Sequence, residues 1–268
     1  MKTGIIGLGK MGGALLQGML KSGAAVPEEV WVYDHHHENV LALQEEYPGV
    51  HEAPTEIAAA DAVDILLLAI KPHGVLPLIS SLSEQMEELP LLVSVAAAVS
   101  LDDMEACASD GTRIIRAMPN TPCMIMAGVI AYSTGSRATA EDEEAVRGLL
   151  SGCGSVFKVE ESRMNAVSAV SGCGPAYMFT ALDALSDAGV AMGLPRKTAL
   201  ELAVDTMLGS ALMLKQTGRH PMALRDEVTS PGGTTIAALN ALDECGFRHA
   251  WIQAVKKAVR RAEEMEAR

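Results

Sequence analysis

The sequence is poor in aromatic and in basic residues, and both shortages exclude classes of protein. Aromatic residues make up 3% of the 268 residues, whereas hydrophobic residues reach 49% and there are 24 glycines. This composition favours helices packed through small side chains over an all-β fold. Only 21 basic residues stand against 34 acidic ones, and a net charge of −13 repels nucleic-acid phosphates and anionic lipid headgroups. We therefore expect no nucleic-acid partner and no membrane partner.

Long apolar runs and paired cysteines are also missing. The longest apolar stretch, near residues 89–101, is interrupted by serines and is shorter than the roughly 18 residues that span a bilayer. The five cysteines are widely separated, and no two of them form a Cys-x-x-Cys pair. Such cysteines are typical of reduced, structural thiols. We expect a cytoplasmic protein without a transmembrane helix.

The first part of the chain alternates strand and helix patterns. Short apolar segments predict strands at residues 1–7, 30–34, 62–70, 91–97 and 111–118. The third of these is continuously apolar, as in the interior of a parallel sheet. Alternating strands and helices predict an α/β fold, a doubly wound Rossmann sheet with helices on both faces.

After about Val159 the strand patterns stop, and the rest of the chain reads as helix. We therefore predict a dinucleotide-binding domain at residues 1–160 and an all-helical domain at residues 161–268. The segment Pro195 to Thr217, with proline in its first turn, is apolar around most of its circumference. Because a region of about 110 residues cannot surround such a helix alone, we expect a second subunit to cover it. Burial within one subunit is the alternative.

The segment G-L-G-K-M-G at residues 7–12 matches G-x-G-x-x-G at the end of the first strand. The first glycine permits the tight turn, the second allows the backbone to approach a pyrophosphate, and the third allows the helix to pack close to the strand. The helix start adds free N–H groups and a positive dipole end. The predicted cofactor contacts here are Gly7, Gly9, Lys10, Met11 and Gly12. A glycine-rich turn without a ligand is the alternative.

Asp34 lies 22 residues after Gly12, at the end of the second strand. A carboxylate there can bind the adenosine ribose hydroxyls of NAD, and it would repel a 2′-phosphate. The histidines at 35–37 follow it, and partial protonation would supply charge near a phosphate. NADH and NADPH both remain open as cofactors. The histidines point in different directions, so we expect no metal site and regard a solvated loop as their alternative role.

Two further segments follow strands at the sheet edge where dinucleotides bind. The segment A-I-K-P-H at residues 69–73 places Lys71 within reach of a cofactor phosphate or ribose, with a surface lysine as the alternative. Asn120 lies in a loop that Pro119 and Pro122 make rigid. A simple turn or cap role is the alternative for Asn120.

A second glycine-rich segment, S-P-G-G-T-T at residues 230–235, precedes a helix. The backbone N–H groups of Gly233 and Thr234, with the Ser230 hydroxyl, can hold a carboxylate. Thr235 adds a neutral hydroxyl capable of one directional hydrogen bond. An ordinary Ser/Thr helix cap is the alternative.

The sequence resembles the pyrroline-5-carboxylate reductase family over nearly its whole length. The resemblance rests on residues 7–12, 69–72, 118–122, 171–177, 226–235 and 246–248, in the family's order. It implies an N-terminal Rossmann domain, a C-terminal helical domain that interlocks with a partner, and active sites assembled between subunits. It also implies a homodimer or a multiple of dimers.

The resemblance implies reduction of L-1-pyrroline-5-carboxylate to L-proline by hydride transfer from NADPH or NADH. The threonine matching Thr235 binds the pyrroline nitrogen and is the catalytic residue, while Ser230, Gly233 and Thr234 hold the substrate carboxylate. On the cofactor side, the segments that carry the resemblance add Ala69, Pro72 and Asn120. Two departures are Cys173, where the family usually has serine, and the acid and histidines at 34–36, which leave the cofactor preference open.

Two other functions remain as alternatives. A β-hydroxyacid dehydrogenase would share the Rossmann start but needs a catalytic lysine in its helical domain, and Lys197 and Lys215 lack the flanking glycine or asparagine motif. A dinucleotide-sensing protein without catalysis would have no use for residues 230–235.

Overall fold

The computed structural model describes residues 1–266 and contains one eight-stranded sheet. The strand order is β3-β2-β1-β4-β5-β6-β7-β8, and every neighbouring pair is parallel except β6 with β7. The strands are β1 (Thr3–Ile6), β2 (Val30–Tyr33), β3 (His51–Glu52), β4 (Ile65–Leu68), β5 (Leu91–Ser94), β6 (Ile114–Met118), β7 (Gly128–Thr134) and β8 (Gly154–Lys158).

Helices connect the strands and form the rest of the chain. They are α1 (Lys10–Lys21), α2 (His37–Glu46), α3 (Glu56–Asp61), α4 (Pro72–Gln85), α5 (Leu101–Cys107), α6 (Ala140–Ser151), α7 (Met164–Val167), α8 (Gly174–Ala191), α9 (Arg196–Thr217), α10 (Pro221–Glu227), α11 (Thr234–Glu244) and α12 (Phe247–Glu266). The predicted Rossmann sheet followed by helices is confirmed. Pro195, predicted in the first turn of α9, instead precedes the helix as its cap residue.

The sheet carries a separate apolar core on each face. Because side chains alternate along a strand, Ile5 packs with residues of α1, α2 and α6, whereas Ile6 packs with residues of α3, α4 and α5. Leu67 and Leu68 of β4 divide in the same way. These two cores make the sheet doubly wound, as predicted.

The chain forms two compact units. The first, which we call the sheet unit, comprises Met1–Cys173 and residues 258–266; the second, the helical unit, is Gly174–Lys257. The last strand ends at Lys158, just before the predicted domain boundary at residue 160, while the compact packing of the sheet unit continues to Cys173.

Three strands lie where the sequence patterns predicted none. β3 has only two residues, and β8 lies at the sheet edge with its side chains half-buried or exposed. β7 runs antiparallel to β6, with Ala117 opposite Tyr132. These strands extend the sheet without changing its fold class.

A buried ion cluster fixes the end of α12 within the sheet unit. Arg116 of β6 has only 2% of its side chain exposed; its Nη1 lies 2.6 Å from Glu161 Oε1, and its Nη2 lies 3.3 Å from Glu266 Oε1. Asn165 Nδ2 donates to Glu266 Oε2 at 2.7 Å. The cluster therefore joins β6, the segment after β8 and the end of α12.

Large apolar side chains of α9 are exposed in this single chain. They are Leu200, Leu202, Val204, Leu208, Leu212 and Met213, whereas Ala199 and Ala203 are buried. This confirms that α9 is apolar on more than one side. Even so, no helix within residues 1–266 has the length and apolarity needed to cross a membrane.

Candidate functional site

The strand order reverses at β1, and a cavity lies at this point. The chain passes from β1 outward to β2 and β3, then returns to β4 on the other side of β1. Ligands of doubly wound sheets bind beyond the carboxyl ends of the strands at such a reversal. A cavity of about 670 Å³ there is lined by Ile6, Gly7, Gly9, Lys10, Met11, Tyr33, Asp34, His35, His36, Ala69, Ile70 and Lys71.

Each glycine of the first turn meets a different constraint. Gly7 has φ +98°, a conformation that favours glycine. A Cβ on Gly12 would lie 1.9 Å from the Gly7 carbonyl oxygen, so α1 can pack this close to the turn only with glycine there. A Cβ on Gly9 would have no atom within 4 Å, because Gly9 borders open space. The turn is thus closed on the protein side and open on the cavity side.

The start of α1 suits an anion. Its cap residue is Gly9, no side chain caps the helix, and its first turn holds no acidic residue. Free N–H groups and the positive end of the helix dipole favour a phosphate. The exposed side chains of Lys10 and Lys71 add positive charge to the cavity lining. These residues fit the pyrophosphate of a dinucleotide.

Asp34 lines the cavity and also holds the glycine turn in place. Its Oδ2 accepts from the backbone N–H of Leu8 at 2.5 Å, and its Oδ1 accepts from that of His36 at 2.7 Å. A carboxylate oxygen can accept a second hydrogen bond, so contact with a ribose hydroxyl remains available. The sequence predicted the ribose contact, but nothing in the local pattern indicated the bond to Leu8.

The three histidines approach three different carboxylates. His35 Nε2 lies 3.8 Å from Glu56 Oε1, His36 Nδ1 lies 3.6 Å from Glu38 Oε1, and His37 Nδ1 lies 2.7 Å from Glu52 Oε1. His35 and His36 line the cavity, whereas His37 does not. The first two rings therefore belong to the candidate cofactor site.

Tyr33 packs against His35 at the end of β2. The rings meet edge to face with centroids 5.5 Å apart, and the Tyr33 hydroxyl lies 3.4 Å from His35 Nδ1. Burial, with the nearby carboxylates Glu56 and Asp34, raises the pKa of the Tyr33 phenol. The phenol therefore stays protonated, and it pairs with Nδ1 as donor or as acceptor according to the tautomer of His35.

The remaining predicted cofactor residues have different surroundings. Ala69 lines the cavity, and its carbonyl oxygen lies behind Gly7; Pro72 is the first residue of α4, and Lys71 caps that helix. Asn120 does not line the cavity. It is buried, donates from Nδ2 to the Ser171 carbonyl at 3.0 Å and accepts at Oδ1 from the Val129 N–H at 2.9 Å. These bonds give Asn120 a bracing role within the sheet unit.

The segment at residues 230–235 forms the start of α11 in the helical unit. Gly233 is the cap residue and no side chain caps the helix, so the Ser/Thr cap considered from the sequence is not formed. Gly232 has φ +68°, and a Cβ on Gly233 would lie 2.3 Å from Ser230 Oγ. Glycine at 233 therefore leaves room for the Ser230 hydroxyl at the helix start.

Polar groups at this helix start have unused hydrogen-bonding capacity. Within residues 1–266, no hydrogen bond involves the hydroxyls of Ser230, Thr234 or Thr235. Uncapped N–H groups beside free hydroxyls can bind a small carboxylate. The fold and the two segments together define a dinucleotide-binding protein with a second polar site on a helix start.

Comparisons with known proteins agree with this class. Residues 2–98 match the family model described as NADP oxidoreductase coenzyme F420-dependent, and residues 161–265 match the one described as pyrroline-5-carboxylate reductase dimerisation. The chain is 38% identical to the pyrroline-5-carboxylate reductase of Escherichia coli over 98% of both chains.

Two solved structures are similar over almost the full length. The pyrroline-5-carboxylate reductase of Coxiella burnetii is 31% identical with a TM-score of 0.92, and the alignment covers 98% of each chain. The pyrroline carboxylate reductase of Plasmodium falciparum, solved with NADP bound, is 28% identical with a TM-score of 0.89, covering 99% of this chain and 98% of that one. The chain belongs to the pyrroline-5-carboxylate reductase family, as the sequence motifs predicted.

Proposed function

We propose that this chain reduces L-1-pyrroline-5-carboxylate to L-proline with NADPH or NADH. The observation that carries the proposal is the uncapped start of α11, where free N–H groups lie beside three hydroxyls without partners in residues 1–266. A protein that only sensed dinucleotides would not need this second polar segment. Family membership and the glycine-lined cavity supply the cofactor half of the reaction.

The substrate carboxylate binds at the start of α11. The backbone N–H of Thr234 and the hydroxyl of Ser230 donate to it, and the helix dipole favours its negative charge. The Gly233 N–H, predicted from the sequence as a further donor, already donates to the Ser230 carbonyl at 3.0 Å. Since these donors are fixed by the backbone, they hold the ring in one orientation. Positioning of this kind supplies much of the rate of a bimolecular reaction.

Thr235 acts on the imine nitrogen. A cyclic imine becomes electrophilic at carbon when its nitrogen is protonated, and the bound nicotinamide supplies the hydride that this carbon accepts. The neutral Thr235 hydroxyl forms one directional hydrogen bond to the nitrogen and so orients the ring. No strongly acidic side chain is required, because the imine is basic enough to be protonated by solvent.

The cofactor binds over the glycine turn of the sheet unit. Gly9 leaves room for the pyrophosphate, α1 directs its N–H groups toward it, and Lys10 and Lys71 add charge. Asp34 is placed to bind the adenosine ribose. The cavity has a carboxylate that favours NADH and cationic side chains that favour NADPH, so we expect both cofactors to be accepted.

The active enzyme is a homodimer or a multiple of dimers. The dimerisation family model covers residues 161–265, and the exposed apolar side chains of α9 lie inside that range. Besides the second subunit and the cofactor, we propose that the enzyme binds only its small-molecule substrate. We also propose a cytoplasmic location, which is consistent with five free cysteines in the described chain.

The test is product analysis with purified protein. Pyrroline-5-carboxylate with NADPH or NADH should yield L-proline and oxidised cofactor in equal amounts, and Thr235→Ala should lose most of this activity. Oxidation of a β-hydroxy acid without proline formation would favour the dehydrogenase alternative. Cofactor binding with no turnover of either substrate would favour the sensing alternative.

A further inference from the structure

We propose that His35 and His36 determine specificity for the cofactor's 2′-phosphate, so that preference for NADPH over NADH rises as the pH falls. The inference rests on the proposed function only in taking the cavity as the cofactor site. Both residues line that cavity directly after Asp34. In this fold the residues after the second strand meet the adenosine ribose, which carries the 2′-phosphate in NADPH.

Backbone geometry holds both imidazoles at the cavity. Asp34 Oδ1 accepts from the His36 N–H at 2.7 Å, which closes a short turn, and Asp34 Oδ2 ties that turn to the Leu8 N–H. The His35 and His36 side chains are 76% and 74% exposed. The turn is thus fixed at its backbone while both rings remain free to meet a ligand.

The ring N–H groups are available to a phosphate. Glu56 and Glu38 lie 3.8 and 3.6 Å from the nearest nitrogens of His35 and His36, distances too long for a hydrogen bond. His37 differs, because its Nδ1 lies 2.7 Å from Glu52 Oε1 and it does not line the cavity. A phosphate with three acceptor oxygens can replace the loose carboxylate contacts of the first two histidines but not the close contact of the third.

The charges around the two rings set the direction of the pH effect. Facing them are Tyr33 on β2, Asp34 after it, Glu38 on α2 and Glu56 on α3, and the cavity also includes the cations Lys10 and Lys71. Imidazole is the side chain that ordinarily changes charge between about pH 5 and pH 8. When both rings are neutral, Asp34 repels the 2′-phosphate; when they are protonated, two cations adjoin it and NADPH binds better.

The experiment is isothermal titration of NADP⁺ and NAD⁺ into the whole protein at about pH 6 and about pH 8. The dissociation constant of NAD⁺ divided by that of NADP⁺ should be higher at about pH 6 than at about pH 8. We expect a rise of about fivefold for each histidine, which is the size of effect expected for an exposed charge pair. The double variant His35→Gln/His36→Gln should lose this rise. His37→Gln is the matched control and should keep it.

Two results would overturn the inference. The first is a ratio of dissociation constants that does not change with pH in the unsubstituted protein. The second is a change in the double variant as large as that in the unsubstituted protein, since the group that titrates would then be the phosphate itself. Melting temperatures and the single variants His35→Gln and His36→Gln identify any loss due to misfolding. Binding of the oxidised cofactor needs no turnover, so the two tests are independent. A negative result here would not argue against proline formation, and an absence of proline formation would not affect the binding ratios.

Discussion

The two units of this chain use apolar side chains in opposite ways. In the sheet unit, two cores flank the sheet and bury most of its large aliphatic residues. In the helical unit, the only buried hydrophobic residues are Ala199 and Ala203, whereas Phe179, Leu208 and Met192 are exposed, the last by 83%. The sheet unit buries its core within one chain, and we propose that a second copy covers the apolar surface of the helical unit.

This difference separates the two halves of the proposed reaction. The cofactor site is built on backbone that a finished core holds rigid, including the contact between Gly12 and the Gly7 carbonyl. The proposed substrate segment begins α11, within a unit that leaves its large apolar side chains exposed in a single chain. We therefore expect cofactor binding to tolerate loss of the oligomer better than catalysis does.

The largest effect is expected from a charge placed in the apolar surface of α9. In the proposed dimer, Leu208→Glu would bury an unpaired carboxylate between the subunits, at a cost of several kcal/mol for each copy. Sedimentation should show dissociation, and proline formation should fall to background. Leu41→Glu is the matched control in the sheet unit, because Leu41 is 49% exposed and Leu208 is 56% exposed. If both variants dissociated and lost proline formation to the same extent, the proposed difference between the two units would be wrong.

Thr235→Ala tests the substrate half alone. Loss of one positioned hydrogen bond typically lowers kcat by about 10²- to 10³-fold, whereas loss of a helix cap costs about 1 kcal/mol of stability with normal turnover. We expect the first result, with nicotinamide affinity and melting temperature unchanged. Thr235→Ser keeps the hydroxyl and should recover much of the rate. Full activity of Thr235→Ala with a lowered melting temperature would refute the catalytic role.

The ion pairs of the two units should differ in their effect on stability. Arg116→Leu would leave Glu161 and Glu266 without their buried partner, and we expect the free energy of unfolding to fall by about 2 kcal/mol, since both carboxylates are partly exposed. Arg219→Leu removes the exposed pair with Glu227 in the helical unit and should leave the melting temperature unchanged. Thermal unfolding of both variants is the measurement; a larger loss for Arg219→Leu would contradict the comparison.

The smallest effect concerns cofactor choice within the sheet unit. Asp34→Ser removes a negative charge from the cavity and should shift the ratio of kcat/KM toward NADPH by about fivefold. Some stability should also be lost, because the carboxylate no longer accepts from Leu8 and His36. Asp34→Asn, which keeps one acceptor oxygen, separates charge from turn geometry. An unchanged cofactor ratio with lowered stability would mean that Asp34 acts only on the backbone.

Features of the fold and of the candidate site could be predicted from the sequence where they depend on neighbouring residues. The continuous apolar segment at β4 identifies the sheet interior, because burial restricts residue type. The glycines at 7–12 identify the tight turn before α1, where Gly7 has a positive φ. β3 is too short for periodicity, and nothing in the sequence of β7 sets its antiparallel direction. The bonds from Asp34 to Leu8 and from Asn120 to Ser171 join residues distant in sequence, so only the folded chain reveals them.

Sedimentation of the active protein at about 1 μM is the most direct test of whether the helical unit is complete only in an assembly of chains, since large obligate interfaces persist at such concentrations. We expect a species of at least twice the 28.2 kDa chain mass, with proline formation in the same fractions and no monomer. A folded 28.2 kDa monomer that forms proline would contradict it.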